Sequence, residues 1–546
     1  MTQAGNTPGL GSTGLAPASG GIPLTHPAPV LRAVLPAGAL DNATKTLGDI
    51  SDQFYAGLLA WALIAVGLYF TIRSRAVQFR LFPEMIRTVF GSRGNAEGGI
   101  SSFQAFTIGL ASRVGTGNIV GVAIAITLGG PGAIFWMWVV ALVGMATGFI
   151  ESTLAQMFKV PAADGTFRGG PAYYITRGLG SRAWGGVFAV VITFVFGFAY
   201  EATQANTIAG AVNGVLENHG QKVEPWVIGA VLVALTAPIV FRGIKRVARV
   251  AEWMAPIMAL IYALLAIVIL SLHFDAIPGA FKAIFEGAFG LNASFAGISG
   301  GFYAAAINGI KRGLFSNEAG EGSVPNAAAT ATTSHPVKQG FIQSMGVFVD
   351  TIIVCTATAL IVMLSGLYDS AANLAGPEAT AAADAAKKTL TSDSVAYVLG
   401  DWSQYLMVLI IFVFAYSSLL GNYTYAEINV DFLRGSRSNH TWLRLMILVA
   451  TYVGAVASLD FVWNLSDIAM GAMAIINIVA ITLLGKWAFG ALRDWEAQNR
   501  ELREGRREEI RFVGKDNPYL PGDLPGDVWA PRGAAAAVAE APVAQG

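Results

Sequence analysis

Charge is scarce in this 546-residue chain: Asp, Glu, Lys and Arg make up 13% of it, against roughly 25% in soluble domains. With 54% hydrophobic residues and a mean hydropathy of +0.55, a soluble globular fold is excluded. The formal net charge is zero, so bulk electrostatics offers no case for a nucleic-acid partner. Cysteine is nearly missing. The single Cys355 excludes an intramolecular disulfide framework and, inside an apolar run, reads as a small buried residue. His26, His219, His273, His335 and His440 share no metal-ligand spacing. No nucleophile–base or metal constellation is present, so neither an enzyme nor a cofactor is expected. The alternating segments of a membrane barrel, about 10 residues each, are also missing. So is the basic-then-apolar start of a cleavable leader.

What remains is apolar sequence in stretches long enough to span a bilayer, which takes about 20 residues each, recurring from Phe54 to Trp487. The fold class is therefore an all-α polytopic membrane protein. Eleven spans are expected near 54–72, 101–128, 132–158, 184–214, 225–241, 252–272, 296–333 (broken), 339–366, 402–430, 442–460 and 463–486. Arg and Lys crowd alternate loops: Arg73, Arg75, Arg80, Arg87 and Arg93; Lys159, Arg168, Arg177 and Arg182; Arg242, Lys245, Arg246 and Arg249; Arg434, Arg437 and Arg444. Such bias puts those loops in the cytoplasm, with the N-terminus outside and the C-terminus inside. The organisation expected is a flexible N-terminal tail (1–50), a first helix and basic loop (51–100), a five-helix repeat (101–272), an external connection (273–294), a second five-helix repeat (295–487) and a cytoplasmic tail with a short surface helix (488–546). The two repeats cross in opposite senses and each opens on a broken helix, the pattern of a 5+5 inverted repeat.

Those breaks carry the chemistry. Gly115-Thr116-Gly117-Asn118 interrupts one apolar segment and Gly313-Leu314-Phe315-Ser316-Asn317-Glu318-Ala319-Gly320 another. Backbone in hydrocarbon stays helical unless protein or solute satisfies its N–H and C=O groups, so paired breaks mark the buried solute site of a secondary transporter. The half-helix starting near Ile119 offers N–H groups and a positive dipole end to a carboxylate. The one ending near Val114 offers carbonyls to a hard cation. A dinucleotide fingerprint fails, because Val120 stands where its third glycine belongs and no strand precedes it. Glycines serving helix packing alone are the simpler alternative, but packing would not call for Asn118. In the second break Ser316, Asn317, Glu318, Glu321 and Ser323 need partners or a wet cavity. Lys311 and Arg312, just before them, are the expected partners. A second polar cluster, Glu201, Thr203, Gln204 and Asn206, lies in span four, and a third, Ser417, Ser418 and Asn422, in span nine. Arg113 and Asp350 are further intramembrane charges, and an ion pair among Arg113, Glu201, Asp350 and Glu318 is expected without an assignment.

At these residues a resemblance emerges. Gly98-Gly-Ile-Ser-Ser-Phe-Gln-Ala105, Val114-Gly-Thr-Gly-Asn-Ile119, Gly129-Gly-Pro-Gly-Ala-Ile-Phe-Trp-Met-Trp138, Phe167-Arg-Gly-Gly-Pro-Ala-Tyr-Tyr174, Arg312-Gly-Leu-Phe-Ser-Asn-Glu-Ala-Gly320 and Gly421-Asn-Tyr-Thr-Tyr-Ala-Glu427 closely resemble the alanine/glycine:cation symporter family over residues 54–487. The resemblance implies a LeuT-type fold in a bacterial plasma membrane, with uptake of L-alanine, glycine or D-alanine driven by Na⁺ or, less often, H⁺. It implies substrate contacts at Thr116, Gly117, Asn118, Gln204, Phe315 (as a lid), Ser316, Asn317, Ser418 and Asn422. It implies a Na⁺ seat formed by carbonyls of Ala111 and Val114 with hydroxyls of Ser417 and Ser418. Some members carry Trp where this chain has Asn422, which leaves the preferred substrate size open. Arg113 occupies a position that contributes backbone to a second Na⁺ site elsewhere in the fold, which implies one-ion coupling here. Oligomeric state is left open.

Overall fold

The computed structural model describes residues 39–92, 100–163, 165–289, 298–368, 389–435 and 439–531. The chain runs through α1 (Asn42–Arg73), then a bent pair, α2 (Ser102–Arg113) and α3 (Gly117–Gly129), whose axes turn by 49°. Next come α4 (Gly132–Met157), a two-residue hairpin of β1 (Val160–Pro161) with β2 (Phe167–Arg168), and α5 (Pro171–Gly178). There follow α6 (Arg182–Glu217), α7 (Pro225–Val240) and α8 (Arg249–Leu272). A second interrupted pair is α9 (Ile298–Asn317) and α10 (Val324–Thr330). The chain then continues through α11 (Pro336–Ser365), α12 (Trp402–Arg434), α13 (Thr441–Val456) and α14 (Leu459–Arg503). Seven of these helices are long and apolar enough to cross a membrane alone, or eight with the α2–α3 pair as one span. This is a membrane-embedded helical protein.

Packing divides the helices into two groups. In one, α4 packs on α9, α10 and α11, with α3 on α9 and α2 on α10. In the other, α6 packs on α12 and α13, α7 on α13 and α8 on α12. The bent helix α2 lies between the groups, touching α12 and α8. Its start is fixed by a capping box: Ser101 Oγ accepts from Gln104 N at 3.1 Å and Ser101 N donates to Gln104 Oε1 at 3.0 Å, satisfying two otherwise orphan donors.

Three boundaries differ from expectation. The helix leading into α1 begins at Ala39, inside the segment read as a tail. Its polar face hides it from hydropathy, yet Asn464 Nδ2 of α14 donates to Thr44 O at 3.2 Å. At the other end, α14 runs unbroken to Arg503 instead of giving way to a short surface helix, since no proline interrupts 487–503. The second break also sits later than its glycines suggest. Gly313 stays helical, and a Cβ there would fall 2.7 Å from Val140 Cγ1, so this glycine serves close packing on α4. The chain unwinds at 318–323, where Glu318, Gly320 and Gly322 take φ of 55°, 93° and 83°, a left-handed conformation that glycine adopts without penalty.

Candidate functional site

The first break is where α2, α3, α6, α9 and α12 converge. α2 ends at Arg113, and Gly115 carries the turn. A Cβ on Gly115 would overlap Ser418 Oγ and lie 3.4 Å from Gln204 Oε1, so α12 and α6 both press against it. A Cβ on Gly117 would sit 3.1 Å from Phe315 Cδ1 and from the Ser316 Cα. Thr116, Gly117, Asn118, Gln204, Phe315, Ser418 and Asn422 are thus gathered round one unwound turn, and all are buried.

Among the described residues, several buried polar atoms near the break have no hydrogen-bond partner: Thr116 Oγ1, Gln204 Oε1, Asn422 Nδ2, Asn317 Nδ2 and Trp463 Nε1. A buried polar atom left dry costs about 1–3 kcal/mol, so such a set is suited to a polar solute or water. Phe315 closes one side, its ring 4.9 Å from Tyr200 and 4.7 Å from Trp463 between centroids. Tyr200 and Trp463 were missed by sequence reasoning, since an aromatic in an apolar segment carries no distinguishing signal.

Asn118 is bound at both ends. Its Oδ1 accepts from Gly115 N at 3.0 Å, and its Nδ2 donates to Asp350 Oδ1 at 2.6 Å and to Ser316 Oγ at 3.1 Å. Ser316 Oγ and Thr351 Oγ1 donate to Asp350 Oδ2 at 2.7 and 2.8 Å. Asp350 therefore ties the first break to α9 from α11, at a stretch (Phe348–Cys355) wound with the wider π-helical turn that marks functional positions in helices. Its signal was a charge in an apolar segment, without an address.

A set of three oxygens meets on the other side of the break. Ser418 Oγ lies 2.9 Å from Ala111 O and 3.2 Å from Phe414 O. Hydroxyl and carbonyl oxygens are the ligand type that a hard cation takes. Ser417 turns elsewhere, its Oγ donating to Phe414 O at 2.8 Å and facing Met258 Sδ at 3.4 Å. Val114 is buried beside Ala111. The Phe414 carbonyl was legible in principle, because a helical Ser bonds back to the carbonyl four residues earlier.

The expected ion pairs around the second break do not form. Lys311 Nζ reaches Asp52 Oδ1 at 3.0 Å and Asp467 Oδ2 at 3.2 Å, and Arg312 also pairs with Asp467. Both residues precede the break on a helix and point away from it, towards α1 and α14. Glu318 accepts instead from Ser112 Oγ at 2.9 Å and Ser323 Oγ at 2.7 Å, and Ser112 Oγ also lies 3.2 Å from Asn422 Oδ1. Tyr200 Oη bonds Glu321 at 3.3 Å. Arg113 donates to Gln343 O at 3.0 Å, and among the described residues both Glu201 oxygens lack a partner. Among the described residues, no pair forms between any two of Arg113, Glu201, Asp350 and Glu318.

The model of the sodium:alanine symporter family matches residues 40–509. The chain belongs to the sodium:alanine symporter family. The amino-acid carrier protein AlsT of Bacillus subtilis is 44% identical over 465 residues, covering 85% of this chain and 94% of the relative. The probable sodium/glutamine symporter GlnT of the same organism is 42% identical, covering 83% and 91%. The sodium/alanine symporter AgcS of Methanococcus maripaludis is 38% identical, covering 80% and 95%. Among solved structures, a manganese transporter of Eremococcus coleocola gives a TM-score of 0.47 at 12% identity, over 72% of this chain and 80% of its own. Family and relatives alike indicate a transporter.

Proposed function

We propose that this chain is a Na⁺-coupled importer of small neutral amino acids (L-alanine, glycine or D-alanine) working by alternating access in a bacterial plasma membrane. The observation that carries the reading is the set of unpartnered buried atoms, Thr116 Oγ1, Gln204 Oε1 and Asn422 Nδ2, around an unwound turn at Gly115. The N–H groups of Gly117 and Asn118 at the start of α3 receive the substrate carboxylate. Gln204 Oε1 accepts from the ammonium, Ser316 and Asn317 complete the wall, and Phe315 with Trp463 limits the side chain. Na⁺ sits among Ala111 O, Phe414 O and Ser418 Oγ, with Val114 O and Ser417 Oγ as the further ligands. The ion then joins α2 to α12, so its occupancy and the substrate's favour the same closed state, a reciprocal coupling.

Two packing groups meeting at the bent helix support a LeuT-type 5+5 arrangement, with one group rocking against the other. Counting α7, α13 and the interrupted α9–α10 as spans brings the total to eleven, with the N-terminus outside and the C-terminus in the cytoplasm. AlsT, GlnT and AgcS carry amino-acid names, two of them with sodium, which favours this reading over a channel. The test is uptake of labelled alanine into proteoliposomes, with glycine, D-alanine and glutamine as competitors. A Na⁺ gradient should drive concentrative uptake that glycine and D-alanine suppress. Uptake driven equally without Na⁺, or suppressed by glutamine alone, would overturn the ion or the substrate assignment respectively.

A further inference from the structure

Beyond α14 the chain does not trail away. It turns at Gly505 (φ 71°) and residues 511–531 return across the ends of several helices. Arg511 N donates to Gln498 Oε1 at 2.8 Å and Phe512 N to Ser334 O at 3.0 Å. Gly514 N donates to Trp529 O and Leu524 N to Gly514 O, each at 2.8 Å, closing a compact loop. Phe512, Leu524 and Trp529 are 2%, 3% and 9% exposed, the burial of a packed element rather than a solvated tail.

The loop's attachments fall on both packing groups. Trp529 Nε1 donates to Gln156 O at the end of α4, at 2.9 Å. The Phe512 ring stands 5.3 Å from Trp529 and 5.0 Å from His335 at the start of α11. On the other side, Arg177 of α5, which packs chiefly on the first turns of α6, donates to Pro525 O at 2.6 Å. Beneath Trp529, Lys159 Nζ lies 5.0 Å from the indole and 4.0 Å from the Phe167 ring, and donates to Ala331 O at 2.8 Å. One loop therefore spans α4, the end of the second interrupted pair, α11 and α5. The family match stops at residue 509, so the loop's own residues lie past it while their partners elsewhere in the chain lie within it.

We propose that residues 511–531 form a latch across the mouth at the ends of α4 and α11, with Trp529 as its anchor, and that its release accompanies opening of that mouth. The proposal rests on the alternating-access reading above. If α4 and α11 rock as one body against α5 and α6, the loop is strained between Gln156 and Arg177, whose own bonds to Phe158 O and Lys159 O just past α4 resist the same movement. The latch lengthens the life of the closed state and so limits turnover.

The test uses the full chain in proteoliposomes with Ser152→Cys as a reporter. Ser152 is fully buried, its Oγ has no partner, and it lies one turn before Gln156 on α4. Labelling of that thiol by a charged maleimide reads opening of the mouth whatever the substrate is, and the chain with Cys355 alone supplies the background. Trp529→Ala should speed labelling at least fivefold and raise the maximal alanine exchange rate while the half-saturating concentration stays put. Trp529→Phe, which keeps the ring but loses the N–H donor, should fall between. Labelling within twofold of the Trp529 chain, or faster labelling with slower exchange, would overturn the latch. Should Trp529→Ala fail to fold, Arg177→Gln removes the bond at the loop's exposed edge and must shift labelling in the same direction. If the unaltered chain moves no alanine, the transport assignment fails while the labelling rates still decide the latch.

Discussion

Substituting alanine at Gly115 tests the geometry of the site most directly. A Cβ there would overlap Ser418 Oγ and lie 3.1 Å from Ser418 Cβ, closer than van der Waals contact allows. The hydroxyl can rotate away, but that breaks its 2.9 Å contact with Ala111 O. The Cβ overlap persists, so α12 must also retreat by a few tenths of an ångström. Overpacking of this kind costs about 1–3 kcal/mol. The strain falls on the arrangement in which α2 and α12 touch, the one proposed to hold the ion. At about 1.4 kcal/mol per tenfold change, half-saturation by Na⁺ should rise roughly 5- to 100-fold, and apparent alanine affinity at fixed Na⁺ should fall with it. The assay is a Na⁺ titration of labelled-alanine uptake, with thermal unfolding measured alongside. Gly186→Ala, where nothing lies within 4 Å of the new Cβ, is the matched control and should behave as the unaltered chain. A Gly115→Ala protein that folds normally and keeps its Na⁺ half-saturation within twofold would refute the placement of the ion between α2 and α12.

Asn118→Ala should abolish concentrative uptake while expression persists, since it strips Asp350 of a donor at 2.6 Å and frees Gly115 N. A hydrogen bond to a charged group is worth about 1.5–3 kcal/mol, and uptake at the unmutated level would falsify the clamp. Phe315→Ala removes the ring packed on Tyr200 and Trp463; competition by valine or leucine against labelled alanine should appear, and an unchanged competition profile would count against the lid. The latch carries a pH dependence. Burial brings the Lys159 ammonium from 10.5 down to about 7. Arg177, His335, Asp494, Lys338 and Glu509 are the other ionisable groups round it. With the docked value below the released one, the released state binds more protons between pH 7 and 10.5. Docking therefore strengthens as pH rises through that window, by at most about 1.4 kcal/mol per unit. Labelling of Ser152→Cys, relative to the same chain with Lys159→Met at each pH, should slow from pH 7 to 8.5; a flat ratio would remove Lys159 from the latch.

The parts of the fold legible in the sequence were those where one physical constraint dominates. A bilayer demands long apolar helices, so α4, α6, α11 and α12 stand out, and Gly115–Asn118 interrupts another apolar segment, the α2–α3 pair, with polar residues that packing alone does not call for. Where two constraints share a residue type, sequence alone misleads. Gly313 and Gly320 look alike in the chain, yet the first lets α9 approach Val140 and the second takes φ of 93°. The carboxylates were legible as charges but not as partners. Lys311 and Arg312 are adjacent to the break in sequence, whereas Asp467, which takes both, lies more than 150 residues away on α14.

That pairing bears on what the ion does. With Lys311 and Arg312 held by Asp467, and Arg113 turned to the Gln343 carbonyl, Asp350 has hydrogen bonds but no paired cation among the described residues. A buried carboxylate without a counter-charge is costly, and this one touches the first break through Asn118 and the end of α9 through Ser316. If Asp350 is ionised, an arrangement that brings a further cation near it, beside the Arg113 guanidinium, is favoured. The Na⁺ proposed at Ser418, on the far side of the same unwound turn, would supply that charge and so favour the arrangement in which α2 and α12 touch. Asp350→Asn removes the imbalance. It should weaken the dependence of alanine binding on Na⁺, and dependence as steep as in the unaltered chain would show that the ion acts through its oxygen ligands alone.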